Sequence, residues 1–146
     1  MKDFFISYNN ADRIWAEWIA WQLEEAGYTT LIQAWDFIAG KNFVLEMQKA
    51  AVNANRTIAV LSPDYLTSRF PQSEWAVAFA DDPTGEKGIL LPVRVRECEL
   101  KGLLGQISYI DLVGLDEDKA KNALLQAFIV ALSRGRLRLL FNQSGL

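Results

Sequence analysis

The 146-residue chain contains no histidine, which removes Ser-His-Asp and Cys-His catalysis together with the commonest metal ligand. Its single cysteine, Cys98, permits neither an internal disulfide nor a structural zinc site, so the expected compartment is a reducing cytosol and no bound metal is expected. Basic residues are in slight deficit, 15 against 18 acidic, and the net charge of -3 leaves no surplus of Lys and Arg to neutralise phosphates. Nucleic acid is therefore not an expected partner. Long apolar runs are also missing: Gly88-Ile89-Leu90-Leu91-Pro92-Val93 falls far short of the roughly 20 residues a membrane-spanning helix needs. The start of the chain lacks the basic and apolar regions of a secretory signal and passes directly into the strand-like Asp3-Phe4-Phe5-Ile6-Ser7. No membrane association is expected.

What is present is an apolar fraction of 51% beside 23% charged residues, the balance of one compact globular domain. Short β-type runs alternate with stretches of helical period, which predicts an α/β fold: a flavodoxin-like, doubly wound parallel sheet of five strands with helices on both faces. The first strand spans Phe4 to Tyr8. Asn9-Asn10 then caps a helix from about Ala11 to Ala26, stopped by Gly27, whose stripe of Trp15, Trp18, Ile19, Gln22 and Leu23 is expected to pack on the sheet while Trp21 points partly elsewhere. Thr29 to Ile32 reads as the second strand. A second helix carries Phe43, Met47, Ala50, Ala51 and Ala54 at helical spacing, and Thr57 to Ser62 reads as a fully buried strand. A short helix is predicted from about Pro71 to Ala80, with Glu74 complementing the dipole at its start. Leu90 to Val95 and Ile107 to Leu112 are the last two strands; Pro92 predicts that the former is an edge strand or that the proline lies at its start. The final helix starts near Asp116, with Ala120, Ala123, Leu124, Ala127, Phe128 and Ala131 on one face. Residues 133–146, with Arg134, Arg136 and Arg138 among bulky apolar residues, read as a tail or linker beyond a domain of residues 1–132.

A doubly wound sheet binds its ligands at the carboxyl ends of its strands, so chemistry is sought after Tyr8, Ile32, Ser62 and Val95. No Gly-x-Gly-x-x-Gly or Walker loop comes after the first strand, which continues Ser7-Tyr8-Asn9-Asn10-Ala11-Asp12; ordinary dehydrogenases and P-loop nucleotidases do not fit. A phospho-acceptor receiver would need clustered acids and a late lysine where Asn9-Asn10 and Leu112-Val113 stand. Between the second strand and second helix, Trp35 and Phe37 sit in a loop, Ala34 to Asn42, with more aromatic surface than a turn requires; it is a candidate contact surface for self-association. Cys98 has no histidine to serve as its base and is not expected to act as a nucleophile.

Three segments in order carry a family resemblance: Phe5-Ile6-Ser7-Tyr8 with Asp12; Asp36-Phe37-Ile38-Ala39-Gly40 and then Phe43 and Met47; and Leu61 to Glu74, Leu-Ser-Pro-Asp-Tyr-Leu-Thr-Ser-Arg-Phe-Pro-Gln-Ser-Glu. Together they resemble the Toll/interleukin-1 receptor (TIR) domain, most closely its bacterial members, over roughly residues 2–132. In that family a Trp and a Glu stand eight and twelve residues after the serine that ends the third strand, and the Glu is catalytic in members that cleave NAD. Counted without a gap from Ser62, those places hold Phe70 and Glu74. A second register aligns Ser73-Glu74-Trp75 with the Ser-Glu-Trp of receptor-type members and puts Phe79 at the acid's place, which would leave the domain without it.

The resemblance implies two alternative activities. In the first, the domain is an NAD+ nucleosidase that breaks the nicotinamide–ribose bond, with Glu74 catalytic and Ser7, Tyr8, Phe43 and Phe70 lining the substrate pocket. It would serve as the effector part of a bacterial defence or signalling protein, with the loop of one copy docking on the next to complete the site. The partners would then be NAD+ as substrate, with no separate cofactor, and other TIR domains. A single carboxylate suffices for that reaction. Nicotinamide leaves a cation as a neutral group, so no general acid is needed, and the carboxylate stabilises oxocarbenium character at the ribose carbon. In the second, the domain is a non-catalytic scaffold for TIR–TIR association, a reading favoured by Phe79 in the second register and by Phe70 in place of Trp.

Overall fold

The computed structural model describes residues 2–32, 53–67, 90–100 and 108–129. Within them lie five strands, β1 (Lys2–Ser7), β2 (Thr30–Ile32), β3 (Ala54–Leu61), β4 (Leu90–Arg94) and β5 (Ile110–Asp111), all parallel and in the order β2-β1-β3-β4-β5. That is the flavodoxin-like order, reversing between β1 and β3. Among the described residues three helices accompany them: α1 (Arg13–Glu25), α2 (Pro63–Thr67) and α3 at residues 117–129.

The middle strands β1, β3 and β4 are buried on both faces. Phe4, Ile6, Ile58, Val60 and Val93 pack with Ala16, Ile19, Ala20 and Leu23 of α1 and with Ala120, Leu124 and Phe128 of α3. On the other face, Ala59, Leu61 and Leu90 pack against Tyr65 of α2. Alternation along β1 gives both sides an anchor, since Phe4 and Ile6 join the first cluster while Phe5 is equally buried between them.

Local chemistry explains the helix ends. Asn9 caps a 3-10 turn, Asn10–Asp12, by accepting from the Ala11 N–H at 2.8 Å, and α1 begins at Arg13. Gly27, at φ 96°, ends α1 with the Gly27 N–H on the Glu24 carbonyl and the Tyr28 N–H on that of Leu23, each at 3.0 Å. Asp116 caps α3 by accepting from the Lys119 N–H at 2.9 Å.

Several elements differ from the sequence-based expectation. Ala54 begins β3 instead of closing a helix: β1 dictates a parallel register from Lys2↔Ala54 onward, which draws Ala54-Asn55-Arg56 into the ladder despite their weak strand preference. Trp15 and Trp18 lie at the margin of the core, edge to face with rings 5.7 Å apart, because the small Ala16 and Ala20 face the sheet and let α1 approach closely. Strand β4 is internal, yet it tolerates Pro92 because β5 starts pairing only at Val93. Strand β5 is correspondingly short, since β4 ends at Arg94 and offers nothing further to pair; Ser108 and Tyr109 precede it outside any strand. The segment after β3 is helical at once: Pro63 occupies the first position of α2, where its missing N–H costs nothing. The rest of the helix expected from Phe43, the helix expected at Pro71 to Ala80 and the tail 133–146 lie outside the described residues.

Candidate functional site

The carboxyl ends of β1, β3 and β4 converge, and each strand gives way to polar side chains. After β1 come Tyr8, Asn9 and Asp12; after β3, Ser62, Asp64 and Tyr65; after β4, Arg96. The geometry joins most of them into one network. Asp12 is 2% exposed, and both of its carboxylate oxygens are engaged: Oδ1 accepts from Arg96 Nε at 2.7 Å and Oδ2 from the Ser62 hydroxyl. With its proton directed at Asp12, the Ser62 oxygen presents lone pairs to the Tyr65 N–H at 3.1 Å and thereby caps α2. Arg96 extends the network outward, its Nη2 donating to Asp64 Oδ2, while Asn9 Nδ2 reaches the Asp64 carbonyl at 3.5 Å.

Asp12 would be costly to bury alone, and the neighbouring guanidinium is what makes its burial tolerable. Hydrogen bonds first to Asp12 and then to Asp64 hold Arg96 above its already high ordinary pKa, so it is a permanent cation. Arg96 remains 41% exposed at its side chain, placing a fixed positive charge at the edge of the strand ends.

A second ion pair stands one strand further along. Arg94 of β4 grips Asp111 of β5 through Nε and Nη2 at 3.2 and 2.7 Å, donates to Glu97 and to the Cys98 carbonyl, and lies over the Tyr109 ring at 5.4 Å. The hydrogen bonds from Arg94 hold the Asp111 carboxyl below its usual range. Burial pushes the Cys98 thiol up, away from thiolate chemistry. Among the described residues no three His, Cys, Asp or Glu side chains converge as a metal ion would need.

Of the residues named from sequence, Ser7 and Tyr8 lie at the carboxyl end of β1, 0% and 2% exposed. The Ser7 hydroxyl and the Tyr65 hydroxyl share a buried hydrogen bond of 3.2 Å, so Ser7 is committed to holding α2 in this conformation. Glu74, Phe70, Phe43, Trp35 and Phe37 lie outside the described residues. Sequence reasoning misses the linkage of Asp12, Ser62, Asp64 and Arg96. A usable signal exists, because each of the four stands within a few residues of the carboxyl end of one of three adjacent strands.

With this geometry in hand, comparison decides the family: the family model for the TIR domain matches residues 4–126. The chain belongs to the TIR domain family. Among solved structures, the domain is similar to the TIR domain of the Toll-related receptor TRR-2 from Hydra magnipapillata, at 24% identity and a TM-score of 0.74, covering 88% of this chain and 96% of that one. It is similar to a TIR-STING receptor from C. gigas in complex with 2',3'-cGAMP, at 25% identity and a TM-score of 0.70 over 85% of this chain, which spans 39% of that receptor. The TIR domains of the activated Roq1 resistosome, which directly recognizes the pathogen effector XopQ, share the fold at 17% identity and a TM-score of 0.67, with 88% of this chain and 99% of that chain covered. No curated protein matches the chain in sequence.

Proposed function

We propose that this TIR domain is an NAD+ nucleosidase that hydrolyses the nicotinamide–ribose bond with Glu74 as its catalytic carboxylate, and that self-association activates it. The observation that carries the proposal is the location of Ser62. The serine from which the twelve-residue count to Glu74 begins caps α2 at the junction of β1, β3 and β4, the end of the sheet where doubly wound folds bind ligands. Counted without a gap from that serine, Phe70 and Glu74 stand eight and twelve residues on in sequence, whereas the register that substitutes Phe79 needs an insertion.

In this mechanism Phe70 stacks on the nicotinamide ring, Phe43 lines the pocket, and Ser7 and Tyr8 form its floor. Glu74 stabilises the positive charge that develops on the ribose as neutral nicotinamide departs, and water or a second nucleophile within the substrate captures the sugar, giving linear or cyclic ADP-ribose. The loop bearing Trp35 and Phe37 meets a neighbouring copy and completes the pocket. The setting is an effector part of a bacterial defence or signalling protein in the cytoplasm; among the described residues no helix is long and apolar enough to cross a membrane.

The scaffold alternative draws on a different feature. Ile14 and Trp21, two turns apart on α1 and opposite its buried face, are 85% and 59% exposed, as a partner-binding surface would be. A scaffold associates without consuming NAD+. Nicotinamide release by concentrated protein therefore separates the two.

A further inference from the structure

We propose that Arg96 is a positioning residue for the TIR active site: it fixes α2, the element from which the Glu74 segment departs, against the loop after β1. This rests on the NAD+ nucleosidase reading.

Arg96 bridges two carboxylates of unlike standing. Asp12 is buried and already bound to Ser62, whereas the Asp64 side chain is 49% exposed and belongs to the first turn of α2. The planar guanidinium spends Nε on the former and Nη2 on the latter, so a single rigid group sets the distance between the β1 loop and α2. Two further bonds act on the same helix, the Ser62 cap on the Tyr65 N–H and the Ser7–Tyr65 hydroxyl pair. Together these ties fix how Pro63–Thr67 of α2 sits against the strand ends. Thr67 stands three residues before Phe70 and seven before Glu74 in sequence. Seven residues span at most roughly 25 Å, so the position of α2 sets the point from which that segment starts. Catalysis is sensitive to such placement, since a misplacement of about 1 Å costs on the order of a hundredfold.

Asp64→Asn is the informative substitution, because it removes the charge by which Arg96 holds α2 while leaving the Asp12–Arg96 pair intact. The expected result is a fall in kcat of roughly tenfold or more with KM and Tm little changed, together with faster hydrogen exchange at the Leu66 amide, which bonds to the Ser62 carbonyl at 3.1 Å. Asp64→Glu, which restores the carboxylate, should recover part of the rate. Asp111→Asn breaks a comparable arginine pair that does not touch α2 and should leave kcat unchanged. Unaltered turnover in Asp64→Asn, or an equal fall in Asp111→Asn, overturns the assignment. Should the parent protein cleave no NAD+, the nucleosidase reading fails, and hydrogen exchange still judges the clamp: unchanged protection of Leu66 in Asp64→Asn overturns it, and lost protection supports it.

Discussion

Arg96 reaches Asp12 across the ends of two strands that do not pair, for β3 lies between β1 and β4. The bond closes the carboxyl end of the sheet over its middle strand and captures Ser62, the residue that ends that strand, in the same network. A carboxylate with 2% exposure is thus a structural keystone at the end of the sheet where the TIR domain's chemistry is proposed.

The first expected outcome concerns that keystone. Asp12→Ala deprives the buried Ser62 hydroxyl of its acceptor and removes the inner partner of Arg96, whose charge keeps Asp64 and water. Because the arginine is partly exposed, the cost is that of an unmatched buried polar group, about 1–3 kcal/mol. Thermal unfolding should register it as a Tm lower by about 2–4 °C for each kcal/mol. An unchanged Tm would mean that the network contributes nothing to stability.

The second concerns pH. Arg94 holds the Asp111 carboxyl below its usual range, so the folded protein binds that proton less readily than the unfolded chain does. The pair's contribution is present in full above the ordinary aspartate pKa and disappears as pH falls through the lowered folded value. Asp111 is partly exposed, and solvent screening limits the contribution to less than about 1 kcal/mol. Asp111→Asn should therefore be slightly less stable than the parent at neutral pH, and the two should converge in acid. A difference that widens on acidification would contradict the assignment.

Much of the fold is legible in the sequence where the determinants are local. Asn9, Gly27 and Asp116 each act on backbone groups within five residues, and the helix ends they mark are found close to where expected. Where determinants are distant, the sequence is mute. The start of β3 at Ala54 is dictated by its pairing with β1, and the interior place of β4 by its neighbours on both sides. Arg96 and Asp12 are 84 residues apart, and only the strand order brings them together. The resemblance places Ser7 in a pocket; the pairing of its hydroxyl with Tyr65, 58 residues away, is announced by no local pattern.

The third outcome concerns assembly. If the loop of one copy completes the next copy's pocket, specific activity rises steeply with protein concentration, because association obeys mass action. Phe37→Glu, or a charged residue at Trp35, should suppress both light-scattering evidence of association and NAD+ cleavage, since a desolvated, unpaired charge at a contact is costly. Activity strictly proportional to concentration and unchanged in Phe37→Glu would show that one copy holds the whole site.

The central claim is that Glu74 gives this TIR domain NAD+ nucleosidase activity, and nicotinamide release from NAD+ by concentrated protein tests it most directly, with Glu74→Gln measured alongside. Glutamine is nearly isosteric with glutamate, so the variant should stay folded. Nicotinamide release by the parent and none by Glu74→Gln is the expected result; no release by the parent at any concentration, or equal release by the variant, would contradict it.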